Sequence, residues 1–470
     1  MSLRRFTLFL FLMVLGSGCA LLEPPPQPTV PTVPPPPTPD GDTVDFDTFS
    51  EATGPGGTVT LAVDPDVAEL LNNISRQNLF AYVRRLESFG TRHTLSETER
   101  DEYGIGAARR WIYDEFNRVG SGRLQVSYNE FPLTLGSQAT VQQNVVATLP
   151  GNGDHPGVIV LMAHYDSRGE GVNDGQAPAP GANDNGSGVA VLLEAARLLS
   201  AREWSQTIIF VAFAAEEQGT HGSRHFVTEV MLDGMIIDAA INNDIVGGRP
   251  GIPQAVRAFA PGPEGSRPIQ LARYMGLMAD LYSPIFTVDI HQAPDRENRY
   301  SDHREFLNVG VPAVRLTESV EDFSAQHNEQ DTSDKIDYEY LVQVTRLNVA
   351  ALANLAGAPP LPPPPTAAEM ADEGSYLLTW PVDERAAGYA VAARPVGSHD
   401  VEMRFIGIEE AGNVAITGLD PSVTYNISLA ALDERGRISF FSPEIIIGES
   451  DIDDEGDINA GDSITTTGQN

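Results

Sequence analysis

An α/β fold with a mixed, largely parallel sheet flanked by helices, followed by a small all-β sandwich, is what three features of this 470-residue chain predict. The first is Thr207 to Gly219, TIIFVAFAAEEQG, where an unbroken apolar and β-branched run stops at two adjacent carboxylates, Glu216 and Glu217. Such a run suits a strand covered on both faces, and sheets of that kind gather their ligands at the carboxyl ends of strands. The second is the alternation of strand-like and helix-periodic segments between Asn144 and Leu355, which implies parallel strands joined by helices. The third is a change to period two beyond the proline-rich segment Ala358 to Pro365, APPLPPPP.

From the amino terminus, Met1 to Cys19 carries Arg4 and Arg5, an apolar run from Phe6 to Leu15, and small residues before the cysteine. That run is too short to span a bilayer and has secretory-signal proportions. It resembles a bacterial lipoprotein signal, in which Cys19 would be the lipidated first residue of the mature protein; the alternative is an ordinary cleaved signal peptide. Either reading gives an extracytoplasmic location, lipid-anchored to a bacterial membrane or secreted. Residues 20–65 read as a linker, proline-rich from Glu23 to Asp40 and then acidic, an extended spacer by composition.

Residues 66–357 form the predicted α/β domain. Leu79 to Leu86 and Ile105 to Val119 have helical periodicity, the second placing Ala108, Trp111, Ile112 and Phe116 on one face. Strands are expected at Asn144–Leu149, Val158–Ala163, Ile208–Ala214, Ile236–Ile241 and Pro312–Leu316, with helices at Gly188–Leu199 and Tyr338–Leu355. Arg249 to Arg299 is expected to cap a substrate cleft. Residues 358–366 are a second linker, 367–448 the sandwich, and 449–470 an acidic tail whose composition predicts disorder.

The net charge of −35 excludes a nucleic-acid partner, since phosphate backbones select basic surfaces. Lys335 is the only lysine, so nearly all positive charge is arginine. Cys19 is the only cysteine, which excludes an intramolecular disulfide and makes a thiolate metal site unlike this chain.

Five segments put a potential metal ligand at a strand end or in a connecting loop: His164 and Asp166 in HYDS, Asp184 in GANDNGSG, the Glu216–Glu217 pair, Asp244 in INNDIVGG, and His327 in HNEQDT. Each alone reads equally well as a turn or helix-start residue. Together, in one order along one predicted sheet, they form the histidine and carboxylate set of zinc or a similar dication. Two dications carry a charge that Asp184, Glu217, Asp244 and one bridging hydroxide would balance, leaving Glu216 free as general base.

The series resembles the co-catalytic zinc exopeptidases related to bacterial leucyl aminopeptidase and glutamate carboxypeptidase, over roughly Ile74 to Ala356. The resemblance implies a zinc exopeptidase fold and a secreted or lipid-anchored dinuclear enzyme, foremost an aminopeptidase, acting on peptide substrates with two zinc ions. In that reading His164 and Asp244 hold one zinc, Glu217 and His327 the other, and Asp184 bridges. Asp166 orients His164, and Glu216 deprotonates the metal-bridging water. The alternatives are a carboxypeptidase-type relative, a glutaminyl cyclase-like relative using one zinc, and a non-catalytic binding scaffold.

The segment NRYSDHREFLNVGVPAVRLTE resembles a further element of the family, which puts Asp302 and His303 beside the site as supports or substrate contacts. Some relatives have an oxyanion-assisting tyrosine three residues before its serine; here that position is Asn298, and Tyr300 precedes Ser301. His93, His155, His221, His225, His291 and His399 lack ligand contexts and are expected to be structural or on the surface. In the sandwich, the order LTW, YAVAAR, ITGLDPSVTYNISLAALDERG resembles a fibronectin type III domain and implies core positions for Trp380 and Tyr425. Such a module is expected to act in spacing or in contact with a cell surface or polymer.

Overall fold

The computed structural model describes residues 60–448 apart from 154, 372 and 399–400. The signal-like segment with Cys19, the proline-rich spacer, His399 and the acidic tail lie outside the described residues.

In chain order the first domain runs α1 (Pro65–Asn72), α2 (Arg76–Glu87), α3 (Gly104–Gly120), β1 (Gln125–Leu135), β2 (Gln138–Leu149), β3 (Gly157–His164), α4 (Gly188–Leu199), β4 (Thr207–Phe213), α5 (His221–Leu232) and β5 (Ile236–Asn243). It continues with β6 (Ala255–Phe259), α6 (Arg267–Tyr282), β7 (Thr287–His291), α7 (His303–Leu307), β8 (Ala313–Glu318) and α8 (Tyr338–Gly357). The eight strands form one sheet in the order β1-β2-β4-β3-β5-β8-β6-β7. β4 pairs parallel with β3, β3 with β5, β5 with β8, and β6 with β7, whereas β1 pairs antiparallel with β2, β2 with β4, and β6 with β8. The sheet is thus mixed with a parallel centre.

Strand alternation divides the core into two layers. Ile208, Phe210 and Ala212 of β4 join Ile159, Leu161 and Ala163 of β3 in the core shared with α2, α3, α4 and α8. Ile209, Val211 and Phe213 face the opposite way, onto Phe226 and Val230 of α5 and Phe306 of α7. Trp111 packs against the first layer, as its helical position predicts.

Residues 249–299 differ from the expected cap. β6 and β7 extend the sheet edge and α6 packs beneath it, so only the loop after β7 reaches the cleft. The short strands were masked in the sequence by their length and by Pro253, Pro261 and Pro263 around them.

Beyond Gly357 the strands β9 (Thr366–Glu369), β10 (Tyr376–Thr379), β11 (Gly388–Pro395), β12 (Glu402–Gly407), β13 (Asn413–Ile416), β14 (Tyr425–Leu432) and β15 (Ile445–Ile447) form antiparallel sheets of three and four strands, ordered β13-β10-β9 and β12-β11-β14-β15. Trp380 lies between the sheets with Tyr389, Ile427 and Leu429, and the Tyr425 hydroxyl accepts from the Asp420 amide at 3.4 Å. The sandwich is not held off by its linker. The outer face of the four-stranded sheet, with Ala390, Ala392 and Leu432, belongs to the same apolar core as α6. Polar bonds reinforce that seam: Tyr274 donates to the Ile438 carbonyl at 2.8 Å, and Arg394 pairs with Glu264 at 3.0 Å and Glu444 at 2.7 Å.

Candidate metal centre

The carboxyl ends of β3, β4 and β5 lie side by side, because these strands are adjacent and parallel. Chain geometry therefore delivers His164 as the last residue of β3, Glu216 and Glu217 just past β4, and Asp244 just past β5. Asp184 comes from the turn before α4, and His327 from the loop beyond β8. All six line one cavity of about 390 Å³.

Asp184 lies between the two histidines. One of its oxygens is 3.4 Å from His164 Nε2, and the other is 3.1 Å from His327 Nε2. Asp244 approaches His164 Nε2 at 3.3 Å, and Glu217 approaches His327 Nε2 at 3.3 Å. Two clusters result, His164 with Asp184 and Asp244, and Asp184 with Glu217 and His327; within each, the candidate ligand atoms lie within 4.8 Å of one another. Nitrogen and carboxylate donors of this kind suit zinc. Glu217 Oε1 is buried with no hydrogen-bond partner among the described residues, which is costly unless a cation meets it. The residues present therefore fit a pair of dications sharing Asp184.

Electrostatics point the same way. Burial pushes the Glu216 carboxyl well above its ordinary range; His164 opposes this, and Asp244, Asp302 and Glu217 add to it as like charges. Added positive charge would relieve that crowding. Burial also works against ionised Asp244, but Arg315 and His164 outweigh it and hold the carboxyl well below the usual carboxylate range. Glu216 receives no hydrogen bond on its carboxylate among the described residues, and the nearest cationic atom is His164 Nε2 at 4.0 Å.

Asp166 meets the site through two different groups. His164 Nδ1 lies 3.1 Å from the Asp166 backbone carbonyl, closer than the 3.7 Å to its carboxylate. The carboxylate instead accepts from the backbone amides of Glu216 and Glu217, both at 3.1 Å. It thereby fixes the two adjacent glutamates relative to His164. Asp302 and His303, expected as supports or substrate contacts, are fully buried and do not line the cavity. Burial raises the Asp302 carboxyl to about 7. His303 Nε2 donates to the Pro294 carbonyl at 2.7 Å, and its ring is pushed down to about 4 by burial. Tyr300 does line the cavity and is 52% exposed. Of the remaining histidines, His93 is buried against the Val172 carbonyl at 2.9 Å, and His155, His221, His225 and His291 lie away from the cavity lining.

Three supporting residues gave little sequence signal. Arg315, buried in β8, reaches Asp244 at 3.1 Å and Asp295 at 2.7 Å; in sequence it is one arginine within an apolar strand. Asp331 accepts from the amides of Asn183 and Asp184, both at 2.8 Å, and its place in HNEQDT was the available clue. Arg92, also buried, donates to the carbonyls of Tyr165, Pro180 and Gly181 and so joins the end of β3 to the Asp184 turn.

The backbone is strained around this cavity. Ala215, Thr220, Ile245, Asn298 and His327 have φ between 54° and 61°, and with Ser121 they are the non-glycine residues of positive φ among those described. Such conformations cost on the order of 1–3 kcal/mol each and persist where surroundings over-determine them, commonly at functional sites.

Residues 144–352 match the model of peptidase family M28. A probable zinc metalloprotease of Leptosphaeria maculans is 34% identical over 369 residues, covering 70% of this chain and 86% of that one. Another, from Pyricularia oryzae, is 36% identical over 338 residues, covering 63% and 67%. Among solved structures, the LapA aminopeptidase of Legionella pneumophila superposes with a TM-score of 0.52 at 22% identity, over 64% of this chain and 77% of its own. LapB of the same organism gives 0.51 at 23% identity, over 63% and 75%. These two share the fold. With its strand-end histidines and carboxylates, and with relatives matched over most of their length, the chain belongs to peptidase family M28 and is a zinc-dependent peptidase.

Proposed function

We propose that this chain removes amino-terminal residues from peptides using two zinc ions, with Glu216 as the proton carrier. The observation that supports this most is that the two oxygens of Asp184 face different histidines, at 3.4 and 3.1 Å. His164, Asp184 and Asp244 would hold one ion and Asp184, Glu217 and His327 the other, and the pair would supply Lewis acidity toward the scissile carbonyl and toward a water.

The protein's own groups then divide the work. Glu216, with no hydrogen bond from a described residue on its carboxylate, takes a proton from the attacking water and passes it to the leaving amine. Asp166 keeps Glu216 and Glu217 in fixed relation through their amides. Arg315 and Asp331 hold Asp244 and the Asp184 backbone, so the carboxylates do not rearrange as charge develops. LapA is described as an aminopeptidase, which supports the amino-terminal preference. The segment Arg4 to Cys19 supports an extracytoplasmic location, secreted or lipid-anchored.

Substitution separates the two neighbouring glutamates. Glu216→Gln is expected to keep its zinc and lose turnover by about 10²-fold or more, the contribution of a positioned acid–base group. Glu217→Gln is expected to lose zinc. Zinc analysis and peptide turnover on both variants test the assignment, and near-normal turnover in Glu216→Gln would sink it.

A further inference from the structure

The cavity is rich in arginine although the chain is not: 65 acidic residues face 30 basic ones over its length, yet Arg168, Arg224, Arg296, Arg299 and Arg304 all line this cleft. Three of them have carboxylate partners. Arg168 pairs with Glu217 at 2.8 Å, Arg224 with Glu305 at 3.1 Å, and Arg296 with Asp295 at 3.1 Å.

Arg299 and Arg304 do not. Both are half-buried, and among the described residues neither has a carboxylate oxygen within the 4.0 Å of an ion pair. Their partners are aromatic faces: Arg304 lies 4.1 Å over the Tyr300 ring, and Arg299 lies 6.0 Å over Phe323. Placed in the cleft and partly desolvated, these two guanidiniums without a counter-ion leave positive charge that a ligand's negative charge would meet. The close contact with Tyr300 restrains Arg304, which lowers the rotamer entropy to be lost when an anion docks.

The loop carrying them has a rigid root. Ser301, Asp302 and His303 are fully buried, Asn242 donates to Ser301 Oγ at 2.7 Å, and His303 is tied to Pro294. Asn298, at φ 57°, turns the chain just before Arg299. The buried part of NRYSDHR thus anchors the loop, and Arg299, Tyr300 and Arg304 face the cleft.

We propose that Arg299 and Arg304 form an anion-recognising subsite, which makes the preferred substrates peptides with a carboxylate close to the cleaved bond. This rests on the peptidase reading of the same cavity. The carboxylate has two sources, an acidic side chain or the free α-carboxylate of a short peptide, and the same two guanidiniums serve either.

The test is kcat/KM on matched peptides: Glu against Gln in the residue after the cleaved bond, and free against amidated carboxyl terminus on a dipeptide. At least one acid is expected to exceed its neutral partner by about tenfold or more, the scale of one charge-assisted hydrogen bond. Which pair shows it identifies the source. In Arg299→Gln/Arg304→Gln that ratio is expected to fall toward one, and in the unaltered enzyme it is expected to fall with added salt. Equal kcat/KM for acid and neutral partners, or a ratio untouched by the double substitution, would overturn the subsite while leaving the peptidase reading intact. Absence of hydrolysis for every peptide would instead sink the peptidase reading. Calorimetric binding of the same peptides would then decide the subsite by whether acids bind more tightly than amides.

Discussion

At the scale of single residues, the site depends on buried groups whose partners are unequal. Glu216 and Glu217 are neighbours in sequence, but one has a carboxylate free of hydrogen bonds from described residues, and the other accepts from Arg168 at 2.8 Å and faces His327. The segment TIIFVAFAAEEQG already showed their position, because an apolar run ending in acids has few other uses. Arg315 was not legible. Its function exists only through the register that sets β8 beside β5, and a lone arginine in AVRLTE carries no trace of that. Arg315 is fully buried between Asp244 and Asp295, so Arg315→Met would remove the guanidinium they share and leave Asp244 with His164 and Asp295 with Arg296. A stability loss of about 3–5 kcal/mol is expected from breaking such a pair. Denaturant titration checks it, and a change within about 0.5 kcal/mol, typical of a neutral surface site, would contradict the role given to Arg315.

At the scale of elements, legibility followed burial. β3, β4 and α4 were read closely because nearly every residue on them is buried, whereas β1 lies at the sheet edge with a mostly exposed pattern and buries only Phe131 and Leu133. β6 and β7 are five residues each and escaped for want of length. The short helix α7 begins at His303, whose ring is kept neutral by burial although Asp295 pulls the other way. The sign of the consequence is set by the lowered value. The folded ring titrates at about 4, below an unfolded histidine at roughly 6.5, so the unfolded chain binds the proton first. Stability from this group is complete above about pH 6.5 and declines as pH falls toward 4. His303→Gln keeps a donor for the Pro294 carbonyl but cannot titrate. Its unfolding free energy is expected to fall less steeply than that of the parent between those pH values. Parallel pH profiles for the two proteins would refute this.

At the scale of the whole molecule, charge and architecture are distributed for different purposes. The chain carries a net charge of −35, yet five arginines line the cleft, a contrast the totals conceal because composition does not record position. The sandwich was visible in sequence through its period of two, but its docking was not: small residues such as Ala390 and Ala392 gave no sign that they face α6 and not solvent. Its four-stranded sheet therefore has one face, with Tyr389, toward Trp380 and the other on the peptidase domain. The ligand series was legible as a set because a parallel sheet gathers strand ends at one edge, and that gathering leads to the central claim of two zinc ions sharing Asp184. The most direct test is zinc per chain, measured on purified protein as metal is returned after chelation, with peptide hydrolysis followed in the same samples. The account predicts that full hydrolysis requires two zinc ions per chain and that Asp184→Asn loses both zinc sites and activity together. Full activity at one zinc per chain, or hydrolysis that survives complete metal removal, would contradict it.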